Sequence, residues 1–134
     1  MKKLTLSIAI FATLILASCS KEEVKTVTPP IVNTTFVGTY VGTYNSGAGT
    51  ANSTYSFVFI DDTNMNVYDG TVATGSKATG KYTKTGNAVT GFYKYTGSND
   101  SIMINGTVST STPYVLTGTW TKKAQSGQFT VTKQ

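Results

Sequence analysis

From residue 36 to residue 133 the chain alternates. Large apolar or aromatic side chains stand at every second position, and threonine, lysine or asparagine stands between them. The stretch around the single tryptophan shows the pattern. Tyr114, Leu116, Gly118 and Trp120 fall on one face; Val115, Thr117, Thr119 and Thr121 fall on the other. A period of two describes a strand with one buried face. Eight segments of this kind are predicted, at residues 36–44, 54–60, 65–72, 78–84, 88–96, 101–109, 114–122 and 127–133. The links between them carry turn chemistry, as in Asp61-Asp62-Thr63-Asn64, Thr85-Gly86-Asn87, Gly97-Ser98-Asn99-Asp100 and Gln125-Ser126-Gly127. Links this short pair consecutive strands antiparallel. No segment from residue 36 onward repeats with a period of 3.6, so the fold class is all-β.

The face that alternation marks as buried also carries glycines in mid-strand. Glycine precedes an aromatic or β-branched residue by two positions at Gly38-Tyr40, Gly42-Tyr44, Gly70-Val72, Gly80-Tyr82, Gly91-Tyr93, Gly106-Val108, Gly118-Trp120 and Gly127-Phe129. Glycine weakens an ordinary strand, so a core face rich in it answers a geometric need. A closed barrel has that need, because its strands bend sharply and its interior alternates small with large. The expected architecture is an eight-stranded antiparallel up-and-down barrel, with a β-sandwich as the alternative. Strand number, glycine placement and Gly118-Thr119-Trp120 together resemble small lipocalin-like (calycin-type) barrels over residues 36–133. The usual lipocalin signature places Gly-x-Trp near the first strand, where this chain has Gly38-Thr39-Tyr40.

The first 34 residues follow other rules. Lys2 and Lys3 precede an apolar run at residues 4–17, which is too short for a bilayer span of roughly 20 residues. A basic start, an apolar middle and small residues at the end describe a secretory signal. Leu16-Ala17-Ser18-Cys19 resembles the lipobox of bacterial lipoproteins. That resemblance implies cleavage before Cys19, acylation of Cys19 with fatty chains such as palmitate, and membrane attachment through them. Ser20-Lys21-Glu22-Glu23 resembles the export signal of Bacteroidota surface lipoproteins, with Lys21, Glu22 and Glu23 as its charged positions. The implied address is the outer membrane, at the cell surface, with its periplasmic face as the alternative. Residues 19–34, with Pro29-Pro30 and few large apolar groups, cannot bury enough surface to order themselves and read as a linker. The expected organisation is a signal peptide at 1–18, a lipidated cysteine and linker at 19–34, and a barrel domain at 35–134.

Composition narrows the chemistry. The chain has no histidine and one cysteine, so Ser-His and Cys-His nucleophile pairs, histidine metal ligation and disulfides are all excluded. Beyond the linker the carboxylates are Asp61, Asp62, Asp69 and Asp100. Asp62-Thr63-Asn64-Met65-Asn66 spaces its oxygens as calcium loops do, but Val67 stands where the turn glycine belongs. It reads as a hairpin turn. No arginine is present and the lysines are scattered, which argues against nucleic acid as a partner. The expectation is a protein that is not an enzyme, with no metal and no cofactor. Tyrosines and the tryptophan are the candidate binding groups: Tyr40, Tyr93, Tyr95, Tyr114 and Trp120 would line a site for a small hydrophobic or glycan ligand. The alternative is a filled barrel that serves as a structural or accessory subunit of an outer-membrane complex, with a protein partner. Asp100-Ser101-Ile102 resembles the short O-glycosylation acceptor of Bacteroidota, with Ser101 as the attachment point.

Overall fold

Alternation becomes a closed sheet. The computed structural model describes residues 35–47, 49 and 53–134. Its strands are β1 (Gly38–Tyr44), β2 (Ser53–Phe59), β3 (Asn64–Asp69), β4 (Ser76–Thr85), β5 (Ala88–Tyr95), β6 (Ile102–Val108), β7 (Val115–Lys122) and β8 (Gln125–Lys133). Each pairs antiparallel with the next, and β8 returns to β1, with Gly42 opposite Val131 and Tyr44 opposite Phe129. The sheet is therefore an up-and-down barrel and not a sandwich. The signal peptide, Cys19, Lys21, Glu22 and Glu23 lie outside the described residues.

The interior is filled by rings. An unbroken column runs end to end: Phe36 to Phe59 (ring centroids 4.4 Å apart), Phe59 to Phe57 (5.9 Å), Phe57 to Tyr55 (4.8 Å), Tyr55 to Tyr44 (4.9 Å) and Tyr44 to Trp120 (6.3 Å). Phe129 packs beside it, 5.2 Å from Phe57. Met65, Val67, Val89, Leu116 and Val131 close the remaining space, all essentially inaccessible to water. Close packing of this kind leaves no room for a ligand in the barrel's middle.

Glycine makes the filling possible. Across β7 and β8, Gly118 faces Phe129 and Trp120 faces Gly127; across β4 and β5, Gly80 faces Tyr93 and Tyr82 faces Gly91. Each large side chain thus lies over a position with none. A Cβ on Gly118 would stand 2.3 Å from the Asn105 carbonyl oxygen, 2.6 Å from the Gly106 Cα and 2.9 Å from the Phe129 ring. Gly80, Gly91, Gly118 and Gly127, four of the mid-strand glycines read from the sequence, are this device.

The two ends differ. At one end the chain turns at Gly38, whose φ of +136° suits glycine, and Phe36 folds over the opening. Phe36 was expected inside the first strand; instead it is a plug. Its carbonyl accepts the Tyr40 hydroxyl (2.9 Å), and the Lys84 ammonium lies 5.6 Å from its ring centroid. The β2–β3 turn at the same end is tied by Asp61. Its Oδ1 accepts from the Thr63 and Asn64 backbone N–H groups (2.8 and 2.7 Å), and its Oδ2 accepts from the Asn64 amide (2.7 Å). These bonds, that from the Asn64 side chain foremost, hold the Asp61 carboxyl down at about 2. The stretch with calcium-like spacing is accordingly a hairpin turn.

Other boundaries move too, and β4 begins at Ser76 and not at residue 78. β3 stops at Asp69 and not at residue 72, because Gly70 takes φ +123° and its carbonyl accepts the Ser56 hydroxyl at 2.8 Å. The β7–β8 turn is Lys123-Ala124, two residues earlier than the glycine-bearing stretch expected to form it, with Lys123 at φ +52° and its ammonium 2.9 Å from Asp100.

Two outcomes follow. Gly118→Ala lowers stability by about 2–3 kcal/mol through overpacking, whereas Thr119→Val on the outer face stays within about 0.5 kcal/mol, both read from urea midpoints. The Asp61 carboxyl is more acidic folded than unfolded, so its stabilisation is complete above about 4 and fades as pH falls through 2. Asp61→Asn makes the acid limb of the urea midpoint against pH shallower.

Candidate functional site

The end opposite Phe36 holds an aromatic mouth. Strand direction explains its membership. β1, β3, β5 and β7 end here and β2, β4, β6 and β8 begin here, so the inward residues nearest those ends converge. Tyr44, Tyr55, Asp69, Tyr93, Tyr95, Ile102, Trp120, Lys122 and Gln125 line a cleft of about 180 Å³. Tyr55 and Tyr93 are its floor, 3% and 2% exposed, and their hydroxyls bond to each other. Tyr44 and Tyr95, partly exposed, stand above them. Tyr44 lies against Trp120 with ring planes at 75°, and Tyr95 against Tyr93 at 83°.

Polar anchors fix these walls. The Tyr44 hydroxyl donates to Asp69 Oδ1 at 3.0 Å. Trp120 Nε1 donates to the Asn45 carbonyl at 2.8 Å, and Asn45 Oδ1 accepts the Gln128 N–H at 2.7 Å. Asn45 thus locks the tryptophan to the rim. Lys122 and Lys123 lie 4.0 and 2.9 Å from Asp100, whose carboxyl is held below the usual range, first by the Lys123 hydrogen bond.

The sequence-nominated ligand residues do not form one set. Tyr93, Tyr95 and Trp120 meet in the mouth. Tyr40 is buried toward the plugged end, where its hydroxyl serves Phe36, and Tyr114 lies beside it at the recess formed with Thr35, Phe36 and Val108. Ser101 is exposed, one residue before β6 and beside Asp100. The mouth residues not nominated from the sequence are Tyr44, Tyr55, Asp69, Ile102, Lys122 and Gln125. Alternation marked Tyr44 and Tyr55 as inward; only strand register brings Asp69 to them.

Burial raises the Tyr40 and Tyr82 hydroxyls to about 12, with charges on neighbouring groups adding to it. Tyr55, Tyr93 and Tyr95 are raised as well, burial again leading. The mouth offers stacking faces, hydroxyl donors and one carboxylate. Among the described residues no group of three or more His, Cys, Asp or Glu is placed to hold a metal ion.

The outer wall is rich in threonine, and the exposed large apolar residues of its strands are two neighbours. Phe92 on β5 and Met103 on β6 are direct cross-strand neighbours, 46% and 52% exposed. Lys81 stands opposite Phe92 on the other side, and together they border a groove of about 470 Å³. A polar outside over an aromatic inside is the reverse of a lipid-facing barrel.

Comparison with protein-family models, with curated proteins and with solved structures finds no match for this chain.

The buried tyrosines give an alkaline limit. A tyrosine whose folded pKa exceeds its ordinary value of 10 stabilises fully below pH 10 and progressively less as pH rises toward 12. Ellipticity and tyrosinate absorbance should therefore change together above pH 10 as the barrel opens. Tyrosinate formation with the near-ultraviolet signal intact would contradict this.

Proposed function

We propose that the chain is a non-enzymatic, lipid-anchored outer-membrane lipoprotein whose filled barrel serves as an accessory subunit, presenting its outside to a partner protein. One observation carries the choice between this and an enclosed-ligand carrier. The aromatic column from Phe36 to Trp120 occupies the space that a carried molecule would need. Eight strands give an interior just wide enough for side chains or one small ligand, and here side chains take it.

The Phe92–Met103 pair supports docking, since exposed large apolar side chains side by side on a threonine wall favour a partner. The anchor in this reading is Cys19, and Lys21-Glu22-Glu23 directs the protein to the cell surface. One acyl chain binds marginally and two or more bind stably, at about 0.8 kcal/mol per buried methylene. Ser101, exposed beside the mouth, is open to the glycosylation that Asp100-Ser101-Ile102 suggests.

Cell fractionation tests the anchor. Cys19→Ala should move the protein from the membrane to the soluble fraction, and alanine at Lys21, Glu22 and Glu23 should turn it from protease-accessible to protected on intact cells. Photo-crosslinking tests the docking face. A crosslinker at position 92 should give a discrete product that one at outward Thr119 does not. Identical patterns at both positions would end the docking reading.

A further inference from the structure

We propose that the mouth formed by Tyr44, Tyr95, Trp120 and Asp69 is a binding site for one neutral sugar ring, such as the terminal residue of a glycan. Size sets the first limit. At about 180 Å³ the cleft is smaller than the roughly 300–1,000 Å³ of pockets that enclose drug-sized ligands. Its floor is shut by Tyr55 and Tyr93, so nothing long can pass inward. A fatty chain has nowhere to go; a single ring does.

Wall chemistry sets the second. Tyr44 and Trp120 meet at 75°, with Tyr95 on the neighbouring side, so the cleft presents aromatic surface in more than one plane. Around it are unspent polar groups. Asp69 gives Oδ1 to Tyr44 and leaves Oδ2 without a hydrogen bond from any described residue, and the same is true of the Tyr95 hydroxyl and the Gln125 amide. A carboxylate accepts, a tyrosine hydroxyl does both, and an amide does both. A sugar ring matches this set, because its C–H face is apolar and its edge carries hydroxyls that donate and accept.

Charge sets the third. Lys123 is matched against Asp100 at 2.9 Å, while Lys122, 4.0 Å from the same carboxylate, borders the cleft together with Asp69, the one carboxylate among the described residues that line it. An anionic ligand would meet Asp69 unfavourably. A quaternary ammonium would favour the rings and Asp69 but not Lys122 in the same wall. A neutral polyol incurs neither cost.

The site is at a different place from the Phe92–Met103 face and needs no acyl group, so it stands or falls separately from the accessory-subunit reading. Trp120 is the chain's single tryptophan, and its emission reports this cleft alone. The experiment titrates the full chain carrying Cys19→Ala with methyl glycosides of glucose, galactose, mannose and N-acetylglucosamine. Glucuronate, tetramethylammonium and octanoate are the comparison probes. The expected result is a saturable emission change with at least one neutral glycoside. That response weakens about tenfold in Asp69→Asn and in Tyr95→Ala, and persists in Tyr114→Ala at the far end. Tyr95→Phe carries the test if Tyr95→Ala does not fold, losing the hydroxyl and keeping the ring. No emission change with any glycoside up to its solubility limit would overturn the proposal. So would a tighter response to glucuronate, tetramethylammonium or octanoate, or an unchanged response in Asp69→Asn.

Discussion

Filling a closed eight-stranded sheet is the constraint from which the rest of this structure follows. A barrel of this size has a narrow interior, and any void there forfeits contact energy on every side. Aromatic rings fill it fastest, but rings on all strands would collide. The solution is to set glycine opposite ring. Phe129 lies over Gly118, Trp120 over Gly127, Tyr93 over Gly80 and Tyr82 over Gly91. The same glycines let backbones approach where the sheet curls, as the 2.3 Å between a hypothetical Gly118 Cβ and the Asn105 oxygen indicates. Curvature and packing are thus one requirement met by one residue type.

A filled interior moves function outward. With Phe57 and Phe129 touching at the centre and Phe36 closing one end, the surfaces that remain include the recess beside Phe36, the mouth and the wall, of which the last two carry the proposals. They differ in chemistry. The mouth mixes rings with a carboxylate and hydroxyls, held by Asn45 at the rim. The wall is rich in threonine and carries Phe92 and Met103 exposed side by side. A polar ring-shaped ligand suits the first and an apolar protein surface suits the second. On the two proposals, these would be independent uses of one barrel.

Much of the fold was legible because one property, alternation, was strong on every strand. The inward sets Val89, Gly91, Tyr93, Tyr95 and Ile102, Ile104, Gly106, Val108 follow directly from period two, and closure followed from glycine on those same faces. Misplaced boundaries share a cause. Phe36 continues the alternation of β1, yet Gly38 turns it across the barrel end; residues 70–72 continue that of β3, yet Gly70 breaks the strand. Glycine within a strand and glycine ending one look alike without φ. The Lys123-Ala124 turn was hidden for the opposite reason: neither residue is a usual turn former, and Lys123 is held at positive φ beside Asp100. The mouth was half legible. Local pattern identified rings, but Asp69 joins Tyr44 across 25 positions of sequence, and Tyr40 and Tyr114 fall at the far end because they lie near the starts of β1 and β7, whereas Tyr93, Tyr95 and Trp120 lie near the ends of β5 and β7.

The arrangement of the ends bears on both proposals. The N-terminal side of the barrel enters at Thr35, whose carbonyl accepts the Lys133 ammonium at 2.6 Å, beside the Phe36 plug. On the lipoprotein reading, the tether from Cys19 therefore joins the closed end. The mouth lies at the other end, one barrel length farther from the attachment point. A linker of residues 19–34 reaches roughly 50 Å when extended, so the barrel is free to turn its mouth away from the membrane. On these proposals, a plugged tethered end and a distal mouth would keep anchoring apart from recognition. A single tyrosine-rich barrel can then be held by one end, docked by its side and engaged at its mouth without any of the three contacts excluding another.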